Sequence, residues 1–191
     1  MKTSFPELNA LSDNALMAKV REGDLEKMGL LFERYKRPLF GFFYGMNKDS
    51  MLSEDMVQTV FYRVLRYRNG FRDEGDFKTW LFHIARNVRH DHYRKNKDRI
   101  RESIDGWQER LRVDENKLTQ LQQDEELAML SMAMDRLPEE KREVLLLSRF
   151  QEKKYKEIGD ILGCTEGAVK VKVFRALQEL KQVFQELENT M

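Results

Sequence analysis

Lysine and arginine recur on one face of a segment near the C-terminus, residues 155–177, which reads YKEIGDILGCTEGAVKVKVFRAL. Such cations can pair with phosphates, and side chains of a helix can reach base edges in a major groove. The spacing predicts two helices joined by a tight turn, because Gly163 suits the positive φ that ends a helix and Thr165 can cap the next one. We interpret the segment as a DNA-binding helix-turn-helix.

The second helix of this motif has an inner and an outer face. Apolar residues at i, i+4, i+7, i+8 and i+11 are expected to point inward; they are Val169, Val173, Ala176, Leu177 and Leu180. The outer face then carries Gly167, Ala168, Val171 and Arg175, with Lys170 and Lys172 on its flanks. In the first helix, Gly159 is expected to let the second helix pack closely.

A second basic segment is predicted to be a helix over residues 77–97, FKTWLFHIARNVRHDHYRKNK. Its apolar side includes Trp80 and Ile84. Its polar side consists of Arg86, Asn87, Arg89, Asp91, Arg94 and Lys95. Basic groups can follow phosphates, and aromatic or amide side chains can contact unpaired bases. Core packing is the better interpretation for Trp80, whereas Tyr67, Phe71 and Tyr93 stay open.

Composition and charge favour a helical protein with two separate basic surfaces. The 191 residues contain three prolines and ten glycines, and the net charge is +1. Residues 61–101 hold twelve Lys/Arg against five Asp/Glu, and residues 149–175 hold seven against four. Basic patches on a nearly neutral chain indicate two contacts with a polyanion.

The elements predict an all-α fold of two small helical domains joined by a flexible linker. Ser12, Asp24 and Ser53 are expected to cap the first three helices, with Pro38 as a kink or a break in the second. The domains are predicted at 1–95 and 124–191, with the linker at 96–123, where the apolar pattern thins. The C-terminal domain is predicted to be a helix-turn-helix of the winged-helix-like DNA-binding class without a wing.

Three motifs in order resemble the bacterial sigma-70 family, in its extracytoplasmic-function (ECF) group. SEDMVQTVFYRVLRYRNGF resembles the polymerase-binding helix of the family, and FKTWLFHIARNVRHDHYRK resembles its promoter-melting helix. LPEEKREVLLL together with the helix-turn-helix resembles its promoter-reading domain. The resemblance covers most of the chain outside the linker.

The resemblance implies a role for individual residues. Asp55 and Gln58, with Glu54 adding charge, match the positions that bind the clamp helices of the polymerase largest subunit; for Glu54 a helix-dipole role is equally plausible. The residues that match −10 DNA contacts are Asn69, Arg72, Asn87, Asp91, Arg94 and Lys95, with Asp91 more plausibly orienting Arg94 or Lys95. Those that match −35 contacts are Glu166, Gly167, Lys170, Val171, Lys172 and Arg175.

Some positions depart from the family pattern. Thr59 stands where an acid is usual, Val171 where a small hydroxyl residue is common, and Lys172 where arginine is common. Valine can pack on a thymine methyl but cannot hydrogen-bond a base edge, and lysine lacks the two-pronged donor of arginine. These changes leave open which −35 sequence is read.

The resemblance implies a factor that binds RNA polymerase core, through the clamp helices and the flap, and promoter DNA, without cofactor or catalysis. An anti-sigma factor is the further partner that the family suggests. One alternative is a stand-alone helix-turn-helix regulator. Another is a metal enzyme using His83, His90 and His92, but His90 and His92 lie about 200° apart around a helix. Cys164 is expected to be structural, and the lack of an apolar leader predicts a cytoplasmic protein without membrane insertion.

Overall fold

The computed structural model describes residues 11–72, 74–103, 121–151 and 154–189, and within these ranges it is helical and has no strand. Eight α-helices and one short 3₁₀ turn, Arg68–Gly70, lie in the described residues. In chain order the α-helices are α1 Asp13–Arg21, α2 Lys27–Asn47, α3 Ser50–Arg66, α4 Phe77–Ser103, α5 Leu121–Arg136, α6 Glu139–Gln151, α7 Tyr155–Leu162 and α8 Glu166–Glu188. The all-α prediction is confirmed.

Helices α1 to α4 pack around an aromatic and aliphatic core. Phe42, Phe43, Phe77 and Phe82 are fully buried, and the Phe42 and Phe82 rings meet edge to face with centroids 5.8 Å apart. Helix α2 continues through Pro38, so no break occurs there. The core fixes α3 and α4 side by side, with their polar sides outward.

Two of the three predicted helix caps are wrong. Ser12 caps α1 as expected, since its hydroxyl accepts from the amide of Ala15 at 3.2 Å. Helix α2 begins after Glu26, so Asp24 is not its cap. The cap of α3 is Asp49, which accepts from the Leu52 amide at 2.9 Å, whereas Ser53 is buried inside the helix.

Because α3 starts earlier than predicted, its acidic residues lie at different positions along the helix. Because the helix begins at Ser50, its first turn contains no acidic residue. Glu54 and Asp55 therefore lie beyond the turn where a carboxylate stabilises the helix dipole most. The helix-dipole explanation for Glu54 loses its basis, and both carboxylates are exposed.

Helix α4 and helix α5 both extend into the segment predicted as a linker. Helix α4 runs to Ser103 rather than to residue 97, and α5 begins at Leu121. The middle of the predicted linker lies outside the described residues. The remaining helices, α6 to α8, form the C-terminal group with α5 packed on α8.

The two helical groups pack against each other along a seam between α2 and α4 on one side and α6 and α7 on the other. Leu146 of α6 lies over Gly45 of α2, where a methyl group added to the glycine would come within 2.7 Å of the leucine Cδ2. Lys48 pairs with Asp135 at 3.1 Å at one end of the seam. Buried residues of both groups belong to one continuous core.

Replacing Gly45 by phenylalanine should separate the two groups while each keeps its helices. A ring at this position has no room beside Leu146, and overpacking of this kind forces neighbouring elements apart. Gly29→Phe is the matched control, because Gly29 lies in the same helix with nothing within 4 Å of its added Cβ. Small-angle X-ray scattering should give a larger radius of gyration for Gly45→Phe alone, with unchanged helical circular dichroism. Equal radii for the two variants would contradict the seam.

Candidate functional site

The helix-turn-helix is built by two glycines and one threonine. Gly163 ends α7 in the left-handed conformation with φ of 69°. Thr165 then caps α8, since its Oγ1 accepts from the Ala168 amide at 3.2 Å. These two predictions are confirmed, and the half-buried Cys164 packs between them against the core.

Gly159 has a different neighbour from the one predicted. A Cβ at this position would lie 2.5 Å from the carbonyl oxygen of Cys164, so the glycine makes room for the turn backbone rather than for α8. A backbone carbonyl cannot swing away as a side chain can. The close approach of α7 to the turn therefore requires glycine.

Gly159→Ala should destabilise the C-terminal group by about 1–3 kcal/mol, because the added methyl group forces the turn backbone to move. Gly167→Ala is the control, since Gly167 is exposed in the first turn of α8 with open space around it. That control should be neutral or stabilising by up to about 1 kcal/mol. Urea unfolding followed by circular dichroism measures both, and equal midpoints for the two variants would refute the role of Gly159.

The outer face of α8 presents all six residues predicted to read −35 DNA. Six residues of this face are exposed, among them the two lysines, Arg175 and Val171; the full set is Glu166, Gly167, Lys170, Val171, Lys172 and Arg175. Lys170 pairs with Glu166 at 3.0 Å, and Lys172 lies 3.9 Å from Glu140 of α6. The face is cationic, but part of its charge is paired within the chain.

Fewer side chains of α8 are buried in the core than predicted. Val169, Val173 and Ala176 are buried, whereas Leu177 is 51% exposed and Leu180 is half-buried. Position 177 follows Ala176 by about 100° around the helix, so it points past the core. Leu177 was wrongly predicted to face inward.

Sequence reasoning also missed an exposed apolar stripe on α8. Val171, Phe174 and Leu177 are three residues apart and all are exposed, Phe174 to 60%. The i, i+3, i+6 spacing on the polar side of the helix was the signal that could have found it. This apolar stripe lies beside the cationic face of the same helix.

Helix α4 exposes Asn87, Arg94 and Lys95, the side chains predicted to face −10 DNA. Asp91 lies between two cations: Arg94 of its own helix at 2.9 Å and Arg63 of α3 at 2.9 Å. The hydrogen bond from Arg63, ahead of the nearby positive charges, holds the pKa of Asp91 below its ordinary value. Asp91 thus pairs with Arg94 as expected, and Arg63 is an unpredicted partner.

Arg86 and Arg89 were predicted on the same open side of α4, and the structure corrects both. Arg86 donates to Glu143 of α6 at 2.9 Å. Arg89 is only 5% exposed. It donates to Glu139 of α6 at 2.6 Å and to Asn47 of α2 at 3.1 Å. Packing of the C-terminal group covers this part of the helix, which periodicity alone could not indicate.

The seam also perturbs a carboxyl group. The hydrogen bond from Arg89 lowers the pKa of Glu139 below the ordinary value of 4.5, with the charges of Arg89 and His90 acting in the same direction. A carboxyl group whose pKa is lowered by docking favours the docked form above its ordinary pKa. That contribution is lost as the pH falls through the lowered value.

Acidification should therefore weaken the seam, and Glu139→Gln should remove the part of this pH dependence that comes from the pair with Arg89. Scattering radii measured from pH 6 down to about pH 3 should rise for the parent protein and be already enlarged and flatter for Glu139→Gln. Glu188→Gln, at the exposed end of α8, is the control and should behave as the parent. A Glu139→Gln profile that follows the parent would exclude the pair as a determinant of docking.

The loop between α3 and α4 presents Asn69 and Arg72 to solvent. Phe71 is buried and packs on Trp80 with ring centroids 5.3 Å apart, so it belongs to the core. Tyr67 and Tyr93 are exposed in part. An open cavity of about 790 Å³ lies beside the loop, lined by Arg21, Phe71, Arg72, Glu74 and Gly75.

The outward side of α3 is a second patterned surface. Glu54, Asp55 and Gln58 are exposed, and Thr59 donates its hydroxyl to the Asp55 carbonyl at 2.9 Å. Two large apolar residues extend the same side, Met51 and the 63% exposed Tyr62. The surface is acidic at its centre and apolar at its ends.

The described residues contain no group of three or more potential metal ligands. His83 and His92 are half-buried and His90 is exposed on α4. Among the described helices, none is long and apolar enough to cross a membrane.

Comparison with known proteins identifies both halves of the chain. Residues 31–99 match the family described as sigma-70 region 2, and residues 127–180 match sigma-70, region 4. The ECF RNA polymerase sigma factor SigM of Bacillus subtilis is 32% identical over 158 residues, which cover 81% of this chain and 93% of SigM. The RNA polymerase sigma-H factor of Pseudomonas aeruginosa is 26% identical over 92% of this chain and 95% of its own length.

Solved structures share the fold. CnrH, solved in complex with the cytosolic domain of CnrY, superposes with a TM-score of 0.70 at 22% identity, covering 91% of this chain and 97% of that chain. The sigma factor RpoE from Bartonella quintana, solved with the anti-sigma factor NepR, gives a TM-score of 0.69 at 22% identity over 82% of this chain and 96% of RpoE. At these identities the similarity shows the fold alone.

Proposed function

The chain belongs to the sigma-70 family of RNA polymerase sigma factors, in its ECF group, and on this premise we propose which of its surfaces meet the polymerase and which meet each promoter element. As a sigma factor it recognises promoter DNA and directs transcription initiation, so the stand-alone regulator is not favoured. This assignment of surfaces to partners rests on one observation. Helices α3, α4 and α8 each pack one side into the core and expose a polar face on the other side.

The outward side of α3 binds the polymerase core at the clamp helices of the largest subunit. Asp55 and Gln58 are the central contacts, and Glu54 adds charge; all three are exposed and lie beyond the first helical turn. Thr59 is engaged with the backbone of its own helix and contributes no charge. The flap of the polymerase is a second contact, for the C-terminal group.

Helix α4 and the loop before it hold the melted −10 strand. Asn87, Arg94 and Lys95 supply exposed donors along α4, and Asn69 and Arg72 supply them on the loop. Asp91 acts on Arg94 rather than on a base, since its two oxygens are occupied by Arg94 and Arg63. Melted bases are recognised by this combination of phosphate contacts and exposed edges.

The face of α8 from Glu166 to Arg175 reads −35 DNA in the major groove. Lys170 and Arg175 bind phosphates or base edges, Lys172 flanks them, and Val171 packs on a thymine methyl. Glu166 and Gly167 lie at the N-terminal end that enters the groove first. The buried inner side keeps this face rigid with respect to α7.

The chain performs no chemical step of its own, because phosphodiester synthesis belongs to the polymerase that it directs. In the docked arrangement Arg86 and Arg89 are held by α6, so they become available to DNA only when the seam opens. An anti-sigma protein is a further proposed partner. The CnrH and RpoE relatives in the fold comparison were solved with CnrY and with NepR, respectively.

Promoter-specific transcription by purified core polymerase tests which surface of the protein contacts which promoter element. Asn87→Ala and Arg94→Ala should lower open-complex formation roughly 5- to 100-fold with unchanged affinity for core, because they remove contacts to the strand. Lys170→Ala and Arg175→Ala should give a similar loss only on templates with an intact −35 element.

Two exposed cations outside these faces serve as controls, Arg37 on α2 and Lys181 on α8. Their alanine variants should initiate as the parent does. An unchanged promoter footprint for Lys170→Ala and Arg175→Ala would remove the −35 role from this face. Absence of any specific transcript with the parent protein would overturn the proposal as a whole.

A further inference from the structure

Helix α1 holds two points of the loop that we assign to −10 recognition. Arg21 donates to the carbonyl of Phe71 at 3.1 Å, directly before Arg72. Asn14 donates to the carbonyl of Gly75 at 2.6 Å, at the end of the loop. The two donors are seven residues apart, so they share one face of α1 and are separated by about 10 Å along its axis.

Asn14 makes a second contact that extends its effect to α4. Its Oδ1 accepts from the Phe77 amide at 2.9 Å, and Phe77 is the first residue of α4. The first amides of a helix have no partner within the helix, so an outside acceptor fixes its direction. Asp76 completes the cap by accepting from the Thr79 amide at 2.6 Å. One amide side chain thus joins the end of the loop to the start of α4.

Helix α1 is rigid enough to serve as a fixed support. Its inner side, Leu16, Met17 and Val20, is fully buried. Near its start, Asp13 accepts from Arg34 of α2 at 2.6 Å and also from the Tyr35 hydroxyl. The carbonyls of Phe71 and Gly75 are therefore held by a helix that is itself packed into the core of the domain.

We propose that Asn14 and Arg21 are positioning residues for −10 recognition: they fix the carbonyls of Phe71 and Gly75 so that Arg72, between them, and the adjoining cavity stay open to an unpaired nucleobase. The inference rests on the proposed function of the loop. Arg21 lines the same cavity as Arg72, which places the support beside the surface that the base would meet. Neither Asn14 nor Arg21 lies in the motifs that resemble the sigma-70 family.

The test uses holoenzyme assembled from core polymerase and full-length variants. The probe is a single-stranded oligonucleotide that carries the −10 element of a promoter mapped by sequencing transcript starts, compared with a scrambled oligonucleotide. Asn14→Ala and Arg21→Met should reduce the preference for the promoter strand about 5- to 10-fold, since each removes ordinary hydrogen bonds that order the loop. Core affinity and the thermal midpoint should stay close to those of the parent.

Conservative variants separate positioning from general stability. Arg21→Lys keeps a donor for the Phe71 carbonyl and should restore most of the preference. Asn14→Asp keeps the acceptor for the Phe77 amide but sets an acceptor against the Gly75 carbonyl, so it should stay defective. If all four variants lose core affinity and thermal stability in proportion to strand binding, the contacts are only structural and the inference is overturned.

Arg72→Ala distinguishes failure of this inference from failure of the proposed function. If Arg72→Ala loses the preference while the Asn14 and Arg21 variants keep it, the support by α1 alone is refuted. If Arg72→Ala also keeps the parent's preference for the promoter strand, the loop does not read the −10 element. The proposed function of the loop and the inference about α1 are then both overturned.

Discussion

A buried guanidinium between the two helical groups is the interaction on which the observed arrangement depends. Arg89 is almost inaccessible to water, so its charge must be met by protein groups. Glu139 comes from α6, Asn47 from α2, and the ring of Tyr93 lies under the guanidinium with its centroid 4.9 Å away. Only the docked arrangement brings all of these together. A partly desolvated ion pair adds little to net stability, but loss of one partner is costly, so this contact specifies how the groups dock more than how firmly they fold.

The same docking divides the polar surface of the protein into covered and open parts. The part of α4 that carries Arg86 and Arg89 faces α6, whereas the part that carries Asn87, Arg94 and Lys95 stays open. The outer side of α8 points away from the seam, and so does the acidic side of α3. The surfaces assigned to polymerase and to −35 DNA are thus accessible in the docked form, and the −10 surface is accessible in part.

The sequence predicted local structure well where one residue type decides the conformation. Gly163 and Thr165 predicted the turn, because the positive φ depends on the glycine itself and the helix cap on the threonine hydroxyl. The predicted cap of α3 was wrong because two nearby residues could each serve as the cap. Asp49 caps the helix, and Ser53 lies inside it. The sequence also could not assign Arg89, since helical periodicity separates polar from apolar sides but does not say which polar residues a distant helix will cover. The contacts of Asn14 with Gly75 and Phe77, more than sixty residues away, carry no local signal at all.

The acid partners on the helices that we assign to promoter DNA have a consequence for how the protein responds to salt. Lys170 and Arg94 each hold a carboxylate of their own helix, Glu166 and Asp91. When a phosphate takes the place of such a carboxylate, the DNA releases a condensed cation, but the freed carboxylate attracts a cation from solution in its turn. Fewer free ions then leave the interface than the number of cations in contact would indicate, and the affinity falls less steeply with ionic strength. The contacts made by these two cations therefore depend less on salt than contacts made by unpaired lysine or arginine side chains would.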